Sequence, residues 1–302
     1  MAKPQRVHVI APAKVNISLK VGAVNPDGFH PVETVYHAVD LYDDIIATRA
    51  EGISLSIDGE GAEAAGIGPD NLAWRAAVLL AKHAGIEPHV HLHITKRIPV
   101  AGGMAGGSAD AAGALVACDA LWQLNTPRET LLELAGQLGS DIPFSIAGGN
   151  AIGRGRGDEL TTLLSRGQFH WVFALSDEGL STPAVYRKFD EMNPTAAEPV
   201  VEPELLQALS SGDVSTAASL MSNDLQAPAI ALRQSLARVL QAGREAGAVA
   251  AIVSGSGPTC AFVAKNQDHA LSIAVELQAS GLIHRTVRAS GPVRGAHVVS
   301  ID

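Results

Sequence analysis

Two pairs of glycines lie close together in residues 99–109, a segment that we call the glycine loop. Glycine lacks a Cβ atom and readily adopts positive φ angles, so the backbone N–H groups of these glycines could converge on a polyanion. The alanine-rich residues that follow predict a helix, whose unpaired first-turn N–H groups and dipole also attract phosphate. The loop consists of Pro99, Val100, Ala101, Gly102, Gly103, Met104, Ala105, Gly106, Gly107, Ser108 and Ala109. Ser108 stands where a helix N-cap, a phosphate contact or a Mg²⁺ contact is expected.

The glycine loop carries neither of the common nucleotide-binding signatures. It lacks the Gly-Lys-Ser/Thr ending of a P-loop, and its glycines are spaced differently from those of a dinucleotide-binding fingerprint. A flexible surface loop capped by Ser108 is the alternative interpretation. Two glycine pairs that open a long helix favour the phosphate cradle, and other segments must identify the nucleotide.

Three segments, in this order along the chain, resemble the motifs of the GHMP kinases, a superfamily that includes galactokinase, homoserine kinase and mevalonate kinase. The first reads Ala-Pro-Ala-Lys-Val-Asn-Ile at residues 11–17. The second is the glycine loop, which is similar to their Pro-x-x-x-Gly-Leu-Gly-x-Ser-Ser motif. The third reads Val-Ser-Gly-Ser-Gly-Pro-Thr at residues 253–259. The loop departs from the family pattern because Ala101 and Ala105 replace glycines, which restricts φ at both positions.

Two further segments resemble one branch of that superfamily, namely Asp-Gly-Phe-His at residues 27–30 and Gly-Ser-Asp-Ile-Pro-Phe at residues 139–144. The resemblance implies ATP-dependent phosphorylation of the 2-hydroxyl of a small alcohol that carries a cytidine diphosphate, in the non-mevalonate route to isoprenoid precursors. Mg²⁺ is expected with ATP on general grounds, although no acidic residue can be assigned as its ligand. The alternatives are another GHMP kinase, of the homoserine or mevalonate type, and a non-catalytic nucleotide-binding regulator.

Phosphoryl transfer to an alcohol requires a phosphate cradle, charge neutralisation and a group that accepts the hydroxyl proton. Asp141 follows a helix-ending glycine and lies in a constrained turn, where it could also serve only as an N-cap. The resemblance implies that Asp141 is the catalytic base. It implies that Lys14 is the partner that keeps the carboxylate ionised, orients the hydroxyl and stabilises transition-state charge.

The resemblance also implies a substrate site formed by Asn16, Phe29, His30 and Tyr186. Phe29 and Tyr186 could sandwich a cytosine ring, and His30 could form hydrogen bonds with its edge. Phe29 stands where the family commonly has tyrosine, which removes a hydroxyl but keeps the stacking face. For each aromatic residue, packing in the hydrophobic core is the alternative role.

Composition limits the classes of partner. A net charge of −9 argues against a nucleic-acid partner, because phosphate contacts demand a basic surface. The sequence shows neither a signal peptide nor a run of about 18 apolar residues, so we expect a cytoplasmic protein that acts on a small molecule and not at a membrane. Positive charge for anionic substrates must then be concentrated locally. The candidates are Lys14, Lys96, Arg97, Arg154 and Arg156.

Periodicity supplies the elements that position these residues. Residues 7–24 alternate as a half-buried strand, residues 72–84 predict a helix, and residues 90–96 predict a strand that leads into the glycine loop. His89, His91 and His93 share one face of that strand, which we interpret as an exposed polar face and not as a metal site. Residues 151–163 predict a hairpin around an Arg-Gly run at residues 153–157, either a solvated turn or a wall for substrate phosphates.

The second half of the chain follows the order strand, helices, strand, strand, helix, strand, which is typical of a ferredoxin-like split βαβ layer. We therefore predict an α+β, two-domain GHMP kinase fold. Residues 1–165 would form the N-terminal ATP-binding α/β domain, and residues 166–302 the C-terminal ferredoxin-like domain. The active site would lie between the two.

Overall fold

A mixed sheet built on two long strands forms the first half of the protein. A computed structural model describes residues 3–100, 102–176, 178–283 and 285–302. The sheet has the order β1-β2-β4-β3, and a hairpin of β5 and β6 adds to the other end of β2. β1 pairs antiparallel with β2, whereas β3 and β4 are parallel. The strands are β1 (Arg6–Val21), β2 (Val32–Thr48), β3 (Ile53–Gly59), β4 (Val90–Lys96), β5 (Asn150–Arg154) and β6 (Glu159–Thr162).

Helix α2 packs directly against β1 and β2 and forms the centre of the first core. Its alanines and glycines permit a close approach: a Cβ atom at Gly113 would lie 2.4 Å from Cδ1 of Ile45 on β2. Asn71 caps α1 by accepting a hydrogen bond from the N–H of Ala73, and Gly85 ends it, which agrees with the helix predicted over residues 72–84. The helices of this half are α1 (Leu72–Ala84), α2 (Gly106–Trp122), α3 (Arg128–Leu138) and α4 (Ile142–Ala147).

The second half contains an antiparallel sheet of order β11-β7-β10-β9, which confirms the ferredoxin-like arrangement. Its strands are β7 (Phe169–Leu175), β9 (Ala250–Val253), β10 (Cys260–Ala264) and β11 (Arg285–Gly291). Its helices are α5 (Thr182–Met192), α6 (Pro203–Ser211), α7 (Val214–Ser219), α8 (Gln226–Leu232), α9 (Ser235–Glu245) and α10 (Gln267–Ala279).

Two strands from the second half of the chain join the first sheet. β8 (Ser222–Asn223) pairs with β1 in parallel, and β12 (His297–Ile301) pairs with β1 antiparallel. The end of the chain therefore returns to the N-terminal sheet, and the predicted domain boundary between residues 165 and 166 stays a prediction. Across the described ranges, no helix has both the length and the apolar character needed to span a membrane.

The three predicted surface histidines form hydrogen bonds with groups of β3 and the turn before it. His91 contacts the hydroxyls of Ser54 and Ser56 at 2.8 and 3.1 Å, and His93 Nδ1 lies 2.9 Å from Ser56 Oγ. The N–H of residue 52 donates to His89 Nδ1 at 2.8 Å. Serine hydroxyls and a backbone N–H thus occupy nitrogens that a metal would need.

Candidate active site

One cavity of about 760 Å³ collects most of the predicted site residues from both halves of the chain. It is lined by Lys14 and Asn16 of β1, by the glycine loop, by Asp141 before α4 and by Tyr186 of α5. Phe29 and His30, in the segment before β2, also line it. Lining residues that the sequence analysis did not select as site residues include Tyr36, Ser140, Thr182, Arg187, Asp190, Gly255 and Ser256.

The glycine loop adopts a conformation that differs from the predicted one. Of its residues, Gly103 and Ala105 have positive φ angles, +75° and +59°, so an alanine takes the left-handed conformation that we expected of glycines. Ala105 is the N-cap of α2, which begins at Gly106. Ser108 is therefore not the N-cap: it lies in the first turn of the helix, where it lines the cavity. Ala101 lies outside the described residues.

Close packing explains why two positions of the loop are glycine. A Cβ atom at Gly103 would lie 2.3 Å from the carbonyl oxygen of Ser254, whose hydroxyl donates to the Gly103 carbonyl at 3.0 Å. A Cβ atom at Gly106 would lie 3.2 Å from both Lys96 Nζ and Ile98 Cγ2. The segment at residues 253–259 thus packs against the glycine loop at Gly103.

Among the described residues of the loop, three are not among those that line the cavity. Met104 and Ala109 are buried in the first core, and Met104 contributes its carbonyl oxygen to the backbone N–H of Lys14 at 3.2 Å. Val100 is 37% exposed beside the loop. Of the three, Met104 and Ala109 contribute to the core beneath the loop, whereas Val100 lies at the surface.

Lys96 is not the free cation that the sequence analysis proposed. Its ammonium is buried between two carboxylates and donates to Asp43 Oδ2 at 2.5 Å and to Asp110 Oδ2 at 2.7 Å. Burial raises the pKa of Asp110, although the neighbouring lysine acts in the opposite direction. Asp43 Oδ1 also accepts the N–H groups of Arg97 and Ile98. This cluster joins β2, the end of β4 and the first turns of α2, which fixes both ends of the glycine loop.

The other predicted cations have different surroundings. Arg97 pairs with Asp44 at the surface, and Arg154 donates to Glu33 at 2.7 Å. Arg156 lines the cavity, with its guanidinium carbon 3.8 Å from the centre of the Phe29 ring. Lys14 and Arg156 are thus the predicted cations that reach the cavity.

Lys14 and Asp141 meet in the cavity. Lys14 Nζ lies 3.4 Å from Asp141 Oδ2 and donates to Asn16 Oδ1 at 2.8 Å. Asn16 in turn donates to the Thr34 hydroxyl at 2.8 Å. Irregularities in the β1–β2 register at Pro12/Ala13 and Asn16/Ser18 flank this stretch, as is common where a sheet aims side chains at a site. The lysine ammonium is buried and faces a carboxylate that is one-third exposed.

Asp141 occupies the N-cap position of α4, but its side chain forms no capping hydrogen bond with the described residues. Its other carboxylate oxygen, Oδ1, instead accepts a hydrogen bond from the Tyr36 hydroxyl at 3.0 Å. Burial and the Asp141 carboxylate raise the pKa of Tyr36 well above its ordinary value. Nothing in the local sequence pattern around Tyr36 marks this contact.

The predicted base-binding residues line the same cavity as the Lys14–Asp141 pair. The rings of His30 and Tyr186 are 4.9 Å apart and inclined by 42°, and His30 Nε2 lies 2.7 Å from Asp190 Oδ1. Burial raises the pKa of Tyr186 to about 12, so its hydroxyl is neutral. Phe29 is 47% exposed and offers one ring face to Arg156. These rings form an aromatic recess beside the Lys14–Asp141 pair.

Comparisons with known proteins agree with this geometry. The chain matches the model for the GHMP kinases N terminal domain over residues 71–149 and the model for GHMP kinases C terminal over residues 205–282. A 4-diphosphocytidyl-2-C-methyl-D-erythritol kinase from Thermobifida fusca is 52% identical over 307 aligned positions, which span 99% of this chain and 100% of that protein. A crystal structure of 4-(cytidine 5'-diphospho)-2C-methyl-D-erythritol kinase matches with a TM-score of 0.76 and 30% identity, covering 94% of this chain and 98% of that one.

The fold and the cavity define a kinase of the GHMP class, and the predicted α+β fold is confirmed. Homoserine kinase from Cytophaga hutchinsonii shares that fold, with a TM-score of 0.78 and 99% coverage of both chains, but at only 17% identity. The identity and full-length coverage of the Thermobifida relative narrow the assignment. The chain belongs to the 4-diphosphocytidyl-2-C-methyl-D-erythritol kinase family.

The described residues fit a magnesium ion that arrives with the nucleotide. They contain no group of three His, Cys, Asp or Glu side chains arranged to hold a metal. Mg²⁺ is usually bound through one or two carboxylates together with substrate phosphates. Asp110 already pairs with Lys96, and Asp141 faces Lys14. The Ser108 hydroxyl belongs to a residue that lines the cavity in the first turn of α2.

Proposed function

We propose that this protein transfers the γ-phosphoryl group of ATP to the 2-hydroxyl of 4-diphosphocytidyl-2-C-methyl-D-erythritol, in the non-mevalonate route to isoprenoid precursors. The relatives that carry this name support the substrate. The observation that supports the chemistry best is the Lys14–Asp141 contact at 3.4 Å, in one cavity with the glycine loop and an aromatic recess.

The glycine loop and α2 provide the phosphate end of the reaction. Backbone N–H groups at the start of α2, together with its dipole, would hold the triphosphate. Lys14 would stabilise charge on the transferring phosphoryl group. When bound, Mg²⁺ supplies neutralisation of the phosphate oxygens, with Ser108 as the residue that would contact it. The buried cluster of Asp43, Lys96 and Asp110 holds both ends of the loop in place.

Asp141 provides the base. The 2-hydroxyl oxygen of the alcohol attacks the γ-phosphorus, the bond from that phosphorus to the bridging oxygen breaks, and ADP leaves. The hydroxyl proton passes to the Asp141 carboxylate. General-base assistance of this kind contributes about 10²- to 10⁴-fold in rate. Lys14, 3.4 Å from Asp141 Oδ2, orients the carboxylate towards the hydroxyl.

The aromatic recess provides specificity for the nucleotide part of the substrate. Tyr186 and Phe29 offer ring faces for a base, and His30 lies beside Tyr186 with one nitrogen fixed by Asp190. Base stacking on an aromatic side chain contributes about 1–3 kcal/mol per base. Asn16 lies beside Lys14, where it would contact the alcohol end of the substrate.

A substrate panel tests this proposal. Purified protein is incubated with ATP and, separately, with the cytidine diphosphate alcohol, its uridine analogue, methylerythritol phosphate, homoserine and mevalonate, while ADP release is measured. We expect turnover with the cytidine compound and a new phosphomonoester at its 2-position by ³¹P NMR. Equal turnover with homoserine or mevalonate would support the other GHMP kinases, and absence of turnover with every alcohol would support the non-catalytic regulator.

A further inference from the structure

The two oxygens of the Asp141 carboxylate contact different elements of the fold. Oδ2 faces Lys14 of β1 at 3.4 Å, and Oδ1 accepts the Tyr36 hydroxyl of β2 at 3.0 Å. A carboxylate that is held at only one oxygen can still rotate about its Cβ–Cγ bond. A hydrogen bond to the other oxygen, donated from another strand, fixes the plane of the group.

Tyr36 is itself held rigidly. Its side chain is buried, its ring stacks on Phe144 with centroids 4.8 Å apart and an interplanar angle of 23°, and Lys14 Nζ lies 5.4 Å from its centroid. Phe144 belongs to α4, which begins immediately after Asp141. The tyrosine therefore packs against the helix whose N-cap residue carries the carboxylate that it contacts.

The Arg-Gly run makes room for this tyrosine. A Cβ atom at Gly153 would lie 2.6 Å from Tyr36 Cε2, and a Cβ atom at Gly157 would lie 2.5 Å from the Tyr36 hydroxyl oxygen. The β5–β6 hairpin thus closes over the ring with bare backbone. This packing gives the glycines of the run a role that neither a solvated turn nor a phosphate wall explains.

We propose that Tyr36 is a positioning residue that sets the orientation of the Asp141 carboxylate for proton transfer. The proposal rests on the function proposed above, in which Asp141 is the base. The Tyr36 hydroxyl donates to one oxygen, so the carboxylate keeps a fixed plane and directs a lone pair at the substrate hydroxyl. Tyr36 acts through Asp141 and takes no proton from the substrate.

The variant Tyr36→Phe tests this proposal because it removes the hydroxyl and keeps the ring. We expect kcat to fall by roughly 10-fold or more, while KM for ATP, KM for the alcohol and Tm stay near their wild-type values. Tyr42→Phe is the matched control, since Tyr42 lies on the same strand and is not among the residues that line the cavity. An unchanged kcat in Tyr36→Phe would overturn the proposal. A lower Tm together with higher KM values for both substrates would also overturn it, because the variant would then be damaged as a whole.

A double variant separates this role from a general structural one. Tyr36→Phe is combined with Asp141→Asn, and the rate of phosphoryl transfer is measured in a single turnover with excess enzyme. Tyr36→Phe should lower that rate little further, because its partner is already changed. A further loss of the same factor would mean that Tyr36 acts independently of Asp141. Wild-type turnover in Asp141→Asn itself would reject the base assigned under the proposed function, a result distinct from wild-type turnover in Tyr36→Phe alone.

Discussion

The Lys14 ammonium lies 3.4 Å from Asp141 Oδ2, although the two residues belong to a β-strand and a helix N-terminus that are distant in sequence. β1 buries the lysine, whereas the carboxylate is one-third exposed to the cavity. Under the proposed function, this pair would supply the cation and the base beside the γ-phosphate held by the glycine loop.

Replacing either member of this pair should remove most of the chemistry and leave nucleotide binding nearly intact. We expect Asp141→Asn to lower kcat by at least about 10²-fold, because the amide keeps the shape and cannot accept the proton. Lys14→Ala should lower kcat similarly by removing charge that stabilises the transition state. Steady-state kinetics gives kcat, and calorimetry with ATP checks binding. Turnover at the wild-type rate in either variant would contradict the role of that residue.

The buried Asp43–Lys96–Asp110 cluster should support both stability and the glycine loop. Lys96→Met leaves two buried carboxylates without a counter-charge, so we expect the free energy of unfolding to fall by about 3–5 kcal/mol. KM for ATP should also rise, because the cluster fixes the two ends of the loop. Urea unfolding and initial-rate kinetics measure the two effects. Lys82→Met, at an exposed position on α1, is the matched control and should change neither. Unfolding at the wild-type urea concentration would show that the cluster does not stabilise the fold.

Removing the ring of Tyr186 should weaken binding of the cytidine substrate selectively. Loss of about 1–3 kcal/mol of stacking corresponds to a roughly 5- to 150-fold rise in KM in Tyr186→Ala, with KM for ATP little changed. Tyr186→Phe keeps the stacking face and should stay near wild type. The uridine analogue, measured in parallel, reports hydrogen bonding to the base edge, since a site built for cytosine leaves groups unpaired with uracil. An unmoved KM in Tyr186→Ala would place the base elsewhere.

His37 should make the fold sensitive to mild acid. It is fully buried, its Nδ1 lies 2.6 Å from Asn150 Oδ1, and its Nε2 has no partner among the described residues. Burial lowers the pKa of His37 to about 4, below the 6.5 of an exposed histidine. Between these values the unfolded chain binds more protons than the folded one. The stability that this histidine contributes is therefore present above pH 6.5 and is lost as the pH falls towards 4.

Urea unfolding at pH 7 and pH 5 measures this dependence. The His37 contribution should lower the free energy of unfolding by about 2 kcal/mol between the two values. His37→Gln, which can still donate to Asn150, should lose that part of the difference even if its stability at neutral pH changes. Equal pH dependence in the variant and the wild type would mean that another group titrates.

Local sequence determined the elements and much of the site. Alternation of apolar and polar residues set one face of β1, so Lys14 and Asn16 point the same way. The cap at Asn71 and the glycine at residue 85 set both ends of α1. The order of strand, glycine loop and helix was readable because each signal lies within a few residues of the structure it specifies.

Only the tertiary structure decided what those elements meet. Lys96 lost its predicted role as a free cation because β2 and α2 each bring a carboxylate to it. Ala105 adopts a left-handed conformation and caps α2, and Ser108 consequently moves into the first turn. Tyr36 reaches Asp141 because the pairing of β2 and the packing of α4 bring them together. Periodicity specifies which face of an element is buried, whereas the partners on that face depend on long-range pairing that no local window of sequence contains.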